Sequence, residues 1–258
     1  MVQLSSVTVG VVVAAGSGSR LGAGIPKAFV KVGGVPMVQR AIGTLQASGV
    51  VSSVIVVVPP DWEGEQLNAV SREARDDSSI PLAVIRGGTT RQESVARAIF
   101  YSKSSFSSSE YIVIHDAARC LTPPAVVRRV AEAAWSFGAA TAAVPVVDTL
   151  RRVVGEQQSS AIGRGEPRPH GENSVGSKIS AGTICGELDR EGVWHIQTPQ
   201  AFEIELLSRA HEAAQGEATD DTSLVTPFHP VQIVAGSRFS FKITTPEDLE
   251  FAEALAGR

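Results

Sequence analysis

Only two cysteines, Cys120 and Cys185, occur among the 258 residues. They show no metal-ligand spacing and no disulfide framework, so a reducing, cytoplasmic setting is expected. Surplus positive charge is lacking too: 23 Lys and Arg stand against 27 Asp and Glu, a net charge of −4. A broad nucleic-acid or membrane-binding surface is thereby disfavoured, while a local cationic pocket stays open. Long hydrophobic runs are also missing. The apolar runs are strand-length and end at Gly, Pro or Asp, well short of the roughly 20 residues of a membrane span. No basic residue precedes Arg20, so the start lacks the charged region of a signal peptide. A soluble protein is expected.

What the chain has is enough apolar material for a core. Hydrophobic residues make up 43% and charged residues 19%, which excludes a wholly disordered chain. A chain of this length buries about three quarters of its unfolded surface and needs no metal or disulfide staple. Val7–Ala15 is valine-rich, short and closed by glycines, the pattern of a strand buried on both faces. Pro36–Ala47 follows with helical spacing of Val38, Ala41, Ile42 and Leu45. Further strands are expected at Val54–Val58, Leu82–Arg86, Tyr111–His115 and Ala139–Val147, with helices at Arg91–Phe100 and Pro123–Phe137. After Trp194 come helices near Glu203–Ala214 and Pro246–Leu255, and strands at Val231–Val234 and Phe239–Ile243. This alternation predicts an α/β fold, a mostly parallel Rossmann-like sheet with helices on both faces. Two stretches break the rhythm. Ser102–Ser109, with six serines, reads as a solvated loop, and Gly155–Gly192, with eight glycines, as a flexible excursion.

In open sheets of this kind ligands bind beyond the carboxyl ends of the strands, so the residues there are the candidates. Ala14-Ala15-Gly16-Ser17-Gly18-Ser19-Arg20-Leu21-Gly22 follows the first strand, with Pro26-Lys27 after it. Small residues let backbone N–H groups approach an anion, and Arg20 and Lys27 add two cations. It is neither a dinucleotide fingerprint, which needs Gly where Leu21 stands, nor a Walker loop. A tight turn with two solvated charges is the plainer alternative. His115-Asp116-Ala117-Ala118-Arg119 sets an acid and an arginine directly beyond a strand. Asp116 could hold a ribose hydroxyl or a metal-bound phosphate and Arg119 a substrate phosphate, unless they form a simple ion pair. His115 reads as a structural hydrogen-bonding residue. Lys242, in an apolar stretch before Thr245-Pro246-Glu247-Asp248, faces either an anion in a cleft or solvent at a sheet edge. Thr244 or Thr245 is placed to cap the last helix.

In shared order, these segments resemble the 2-C-methyl-D-erythritol 4-phosphate cytidylyltransferases of the non-mevalonate isoprenoid pathway. The likeness runs from Val11 to about Ala254 through Gly87-Gly88, Arg91, Ser94, His115–Arg119, Pro145, Arg151, Asp189-Arg190, Trp194-His195, Thr198-Pro199-Gln200, Thr219-Asp220 and Lys242. It implies one cytidylyltransferase domain over residues 1–258, with a projecting β-arm at about 145–192. It implies cytidylyl transfer from CTP, with Mg²⁺ carried by the CTP phosphates and no protein metal ligand. By the same resemblance Arg20 and Lys27 stabilise the α-phosphate, and Lys242 and Arg190 position the acceptor. Asp116, Arg119, Thr149, Thr198 and Thr219 line the acceptor pocket, and Ala14, Ala15, Gly16, Gly88 and Ser94 hold the nucleotide. The arm implies a homodimer. Thr89 departs from the family's frequent Asp, Cys120 from a common Pro, and the Gly155–Glu187 stretch is longer than the usual arm. Within it, the residues around Gly163–Ser177 are expected to form a dispensable loop. A ribitol 5-phosphate cytidylyltransferase and a catalytically silent nucleotide-binding subunit remain the competing readings.

Overall fold

The sheet is built by valine and isoleucine alternation. A computed structural model describes residues 6–16, 21, 25–64, 66, 67, 70, 80–155 and 182–257. Its strands are β1 (Thr8–Val13), β2 (Lys31–Val32), β3 (Val35–Pro36), β4 (Ser53–Val58), β5 (Leu82–Arg86), β6 (Tyr111–Asp116), β7 (Ala139–Pro145), β8 (Leu150–Gly155), β9 (Gly182–Leu188), β10 (Trp194–Glu203) and β11 (Gln232–Ala235). The helices are α1 (Met37–Ala47), α2 (Arg91–Ser105), α3 (Pro124–Phe137), α4 (Ile204–Glu212), α5 (Asp221–Val225) and α6 (Pro246–Ala256). By contact density the chain divides into residues 1–144 with 196–258, and residues 145–195.

The first unit holds a seven-stranded sheet in the order β11-β7-β10-β6-β1-β4-β5. β1 pairs in parallel with both β4 and β6, β4 with β5, and β11 with β7, while β10 runs antiparallel to β6. Because side chains alternate along a strand, Val9, Val11, Ile55, Val57, Ile112 and Ile114 fall on one face. Val12, Val54, Val56, Val58 and Val113 fall on the other. α2 and α4 cover the first face through Val95, Ile99 and Leu207. α1 and α3 cover the second through Ile42, Leu45, Val127 and Val130. Each fully buried branched side chain contributes about 1.5–3 kcal/mol, so two such layers supply most of the driving force. Gly10 lets α1 lie close, since a Cβ there would stand 2.9 Å from Leu45 Cδ1. The expected fold is observed, with helices on both faces. A third cluster, Val30, Val32, Met37, Cys120, Ile243 and Ala252, lies under the β2–β3 ribbon and α6.

Three local expectations are corrected. α2 does not end at Phe100 but runs to Ser105, because the buried stripe Val95, Ala98, Ile99 continues at Ser102. The serine run is therefore helical in its first part. Residues 239–243 are not a strand: residues 238–240 form a 3-10 turn, and Ile243 donates its N–H to Ala118 O at 2.9 Å. Their apolar side chains serve the third cluster, with Ile243 buried and Phe241 packed against it. The expected flexible excursion also gives way to regular structure before Trp194. In the second unit β9 pairs antiparallel with β8, from Leu150↔Leu188 to Gly155↔Gly182. This ribbon is largely exposed, so no one-sided apolar alternation marks it. Residues 156–181, including the expected loop, lie outside the described residues.

Candidate active site

The parallel pairing of β1, β4, β5 and β6 brings their carboxyl ends to one edge of the sheet. A cleft of about 1060 Å³ opens there. Its floor is the small-residue turn Ala14, Ala15 and Gly16 after β1. Lys27 enters from the 3-10 turn Lys27–Phe29, Asp116 from the end of β6, and Lys242 from the segment before α6. Gly88 and Ser94 line it where β5 passes into α2. Eight predicted residues thus meet in one cleft: Ala14, Ala15, Gly16, Lys27, Gly88, Ser94, Asp116 and Lys242. Arg20 lies outside the described residues.

The turn into α2 is tightly built. Ser94 Oγ accepts from Gly88 N–H at 3.1 Å and donates to Thr90 O at 2.9 Å. Thr90 Oγ1 caps the helix by accepting from Glu93 N–H at 3.1 Å. Gly88 must be glycine: a Cβ would meet Glu93 Cβ at 2.2 Å. Thr89, the departure from the family's Asp, gives both its N–H and its hydroxyl to Glu93 Oε2, at 2.7 and 2.8 Å. Cys120, the other departure, fills the third cluster, and burial pushes its thiol up to about 11.

Asp116 is the electrostatic centre. Its Oδ1 takes Arg91 Nε at 3.2 Å and its Oδ2 takes Lys242 Nζ at 2.8 Å. Burial alone would raise its pKa, but Arg91, then Lys242, outweigh it and hold the carboxyl well below the usual carboxylate range. Arg91 in turn gives Nη1 to Asp221 Oδ2 at 2.8 Å. Burial works against that cation, yet Asp221 and then Asp116 push its pKa up. The site therefore presents a fixed anion flanked by fixed cations.

Several predicted residues are employed differently. Thr198 accepts from Asp116 N–H at 3.0 Å and shares a hydrogen bond with His115 Nδ1 at 3.1 Å, so it stands behind the cleft. Arg119 donates to the carbonyls of Ser240 at 2.6 Å and Ile196 at 3.5 Å, and does not pair with Asp116. Thr219 is exposed beside Asp220, which caps α5 by accepting from Ser223 N–H at 3.1 Å. Thr149 and Arg190 belong to the second unit. The Leu150↔Leu188 pairing sets them at one end of its hairpin, where Arg190 donates to Val147 O. Sequence reasoning assigns no role to Arg91, Asp221 or Trp62. Arg91 has a signal, an arginine directly after the capping Thr90, but no spacing rule joins it to Asp221. Trp62 lines the cleft and packs on Phe29 with ring centroids 4.4 Å apart.

The 2-C-methyl-D-erythritol 4-phosphate cytidylyltransferase family model matches residues 8–165 and 176–258. A protein of that name from Nocardia farcinica is 40% identical over 252 residues, 97% of this chain and 94% of its own. Another from Pelotomaculum thermopropionicum is 37% identical over 95% of this chain and 92% of its own. The crystal structure of the Thermus thermophilus protein of that name is 30% identical, with a TM-score of 0.68 over 98% of this chain and 100% of its own. The chain therefore belongs to the 2-C-methyl-D-erythritol 4-phosphate cytidylyltransferase family, and is a nucleotidyltransferase.

Proposed function

We propose that this cleft transfers a cytidylyl group from CTP to 2-C-methyl-D-erythritol 4-phosphate, releasing pyrophosphate, as a step of non-mevalonate isoprenoid precursor synthesis. One observation carries the reading: a small-residue turn, Lys27, and the Asp116–Lys242 pair share one strand-end cleft. An acceptor phosphate oxygen forms the new bond to the α-phosphorus while the bond to the departing pyrophosphate breaks in line. The protein's work is positioning and charge stabilisation, with no covalent enzyme intermediate. Lys27, with Arg20, stabilises the charge gathering on the α-phosphate. Lys242 holds the acceptor, and Asp116 faces its hydroxyls. Ala14, Ala15 and Gly16 approach the nucleotide closely. Ser94 supports it by fixing Gly88, and Thr198 supports the acceptor end by fixing Asp116. Arg119 braces the segment that carries Lys242.

CTP enters as its magnesium complex. Both oxygens of Asp116 are already engaged, so the phosphates rather than this carboxylate carry the ion. No helix among the described residues is long and apolar enough to cross a membrane, and a cytosolic site of action suits the buried, unpaired Cys120. A homodimer is the expected working form. The hairpin favours it by exposing Val153, Ile184 and Leu188, apolar surface that a second copy would cover.

Pyrophosphate release tests the reading. The pure protein with CTP and Mg²⁺ should turn over the methylerythritol acceptor at least tenfold more efficiently than ribitol 5-phosphate, about 1.4 kcal/mol of discrimination. UTP in place of CTP should be poor. Preference for ribitol 5-phosphate would reassign the acceptor, and no release with either would favour a silent nucleotide-binding subunit.

A further inference from the structure

We propose that Asp221, backed by His211, is a positioning residue for the acceptor end of the cleft, acting through Arg91 and Asp116 on the Lys242 ammonium. The inference rests on the proposed role of Lys242 only for its kinetic consequence.

A lysine at a cleft mouth is a poor positioning device by itself. Its stem is flexible, and the Lys242 side chain is 43% exposed, so a lone ion pair with Asp116 would swivel. The rest of the cluster removes that freedom. Asp116 is almost fully buried, and its second oxygen is occupied by Arg91 Nε. A guanidinium is planar, so its orientation is fixed once two of its nitrogens are fixed. Asp221 supplies the second anchor at Arg91 Nη1, from 2.8 Å. Asp221 is 1% exposed, and its other oxygen meets His211 Nε2 at 3.2 Å. The order is therefore His211, Asp221, Arg91, Asp116, Lys242. Donors alternate with acids, and both oxygens of each acid are used.

Four elements hold this chain: His211 comes from α4, Asp221 from α5, Arg91 from α2 and Asp116 from β6. Asp221 is not among the residues lining the cleft, so it acts only through Arg91. Two carboxylates and two cations balance. If Asp221 loses its charge, Arg91 has one carboxylate left and draws Asp116 away from Lys242. The loss should appear at the acceptor and spare the nucleotide.

Asp221→Asn keeps the shape and removes the charge. Expected is a rise of about tenfold in the acceptor KM with the CTP KM unchanged, the size of one hydrogen bond to a charged group. Arg91→Lys should behave alike, because an ammonium cannot span both acids. His211→Phe should show a smaller rise that His211→Gln, which restores a donor, reverses. A readout independent of turnover is amine labelling followed by mass spectrometry. Lys242 should label about threefold faster in Asp221→Asn, while Lys103, paired with Glu205 on the surface, stays constant. Should Asp221→Asn fail to fold, the His211 pair carries both measurements. Unchanged labelling of Lys242 overturns the inference, as does a parallel rise in both KM values. An inactive wild type whose Lys242 labelling still responds would instead count against the proposed reaction.

Discussion

His115 shows how a residue beside the chemistry can matter without performing it. The ring projects fully buried from β6, the strand between β10 and β1, and burial drives its pKa from 6.5 down to about 4. Between those values the unfolded chain binds a proton that the folded chain does not. Stability from this group is therefore complete above pH 6.5 and is lost as pH falls toward 4. The displacement is worth roughly 3 kcal/mol at most. His115→Asn should flatten the dependence of the urea midpoint on pH across that window, and an unchanged slope would show that the proton uptake lies elsewhere. Lys27→Ala belongs to the same scale. A cation that strengthens its contact as charge gathers should cost about 3–4 kcal/mol, or roughly 10²–10³ in kcat, with the CTP affinity nearly kept. Near-normal turnover would remove Lys27 from that role. Asp116 is legible because it sits just beyond a strand, where a parallel sheet puts its ligand, Lys27 because it follows a small-residue loop, and Lys242 because a lysine in an apolar stretch needs an anion or water. Arg119 carries the strand-end signal and Thr198 only the family likeness, yet the side chains of both serve backbone from distant parts of the chain. Which way such a side chain turns depends on distant partners that spacing does not reveal. For Arg119 that partner is Ser240, 121 residues away, and for Thr198 it is Asp116, 82 residues away.

Among the elements, the last helix ties its own stability to the site. Thr245 and Asp248 form a capping box at the start of α6. Asp248 Oδ2 also accepts from Thr244 N–H and Oγ1, both at 2.7 Å, and from Thr245 N–H at 2.9 Å. These bonds fix the turn directly after Lys242, while Ile243 N–H on Ala118 O fixes it from the other side. Asp248→Ala should cost about 1–2 kcal/mol in thermal or urea unfolding and raise the acceptor KM. Equal destabilisation with no kinetic change would mean that the Ile243 anchor suffices. Of the two expected caps, Thr244 and Thr245, it is Thr245 whose side chain accepts from Asp248 N–H. Valine-rich strands are legible to within a residue or two because they are buried on both faces. β9 is not, since a ribbon wet on both sides needs no periodicity. The tail of α2 is hidden because a buried serine continues the apolar stripe by position rather than by type.

At the scale of the whole molecule, the hairpin register makes a deletion reasonable. Gly155 and Gly182 are paired at one end of the β8–β9 ribbon, opposite the end that carries Thr149 and Arg190. The family match also omits residues 166–175, inside the stretch that the sequence marks as an extension. That stretch lies outside the described residues. Removing residues 166–175 should leave kcat/KM within about twofold, because loop-closure entropy changes only slowly with length. A large loss would show that the extension takes part in the reaction. The sheet order carries a different consequence, one of timing. β10 lies between β6 and β7, although it follows both in the chain. During synthesis β6 and β7 therefore wait, with open edges, until residues 194–203 have left the ribosome. Unpaired edges of this kind recruit other chains, so a nascent protein stalled before residue 194 should depend on chaperones and aggregate without them. β11 and Lys242 emerge later still, so release of the chain, rather than its early hydrophobic collapse, is the moment at which the site becomes whole.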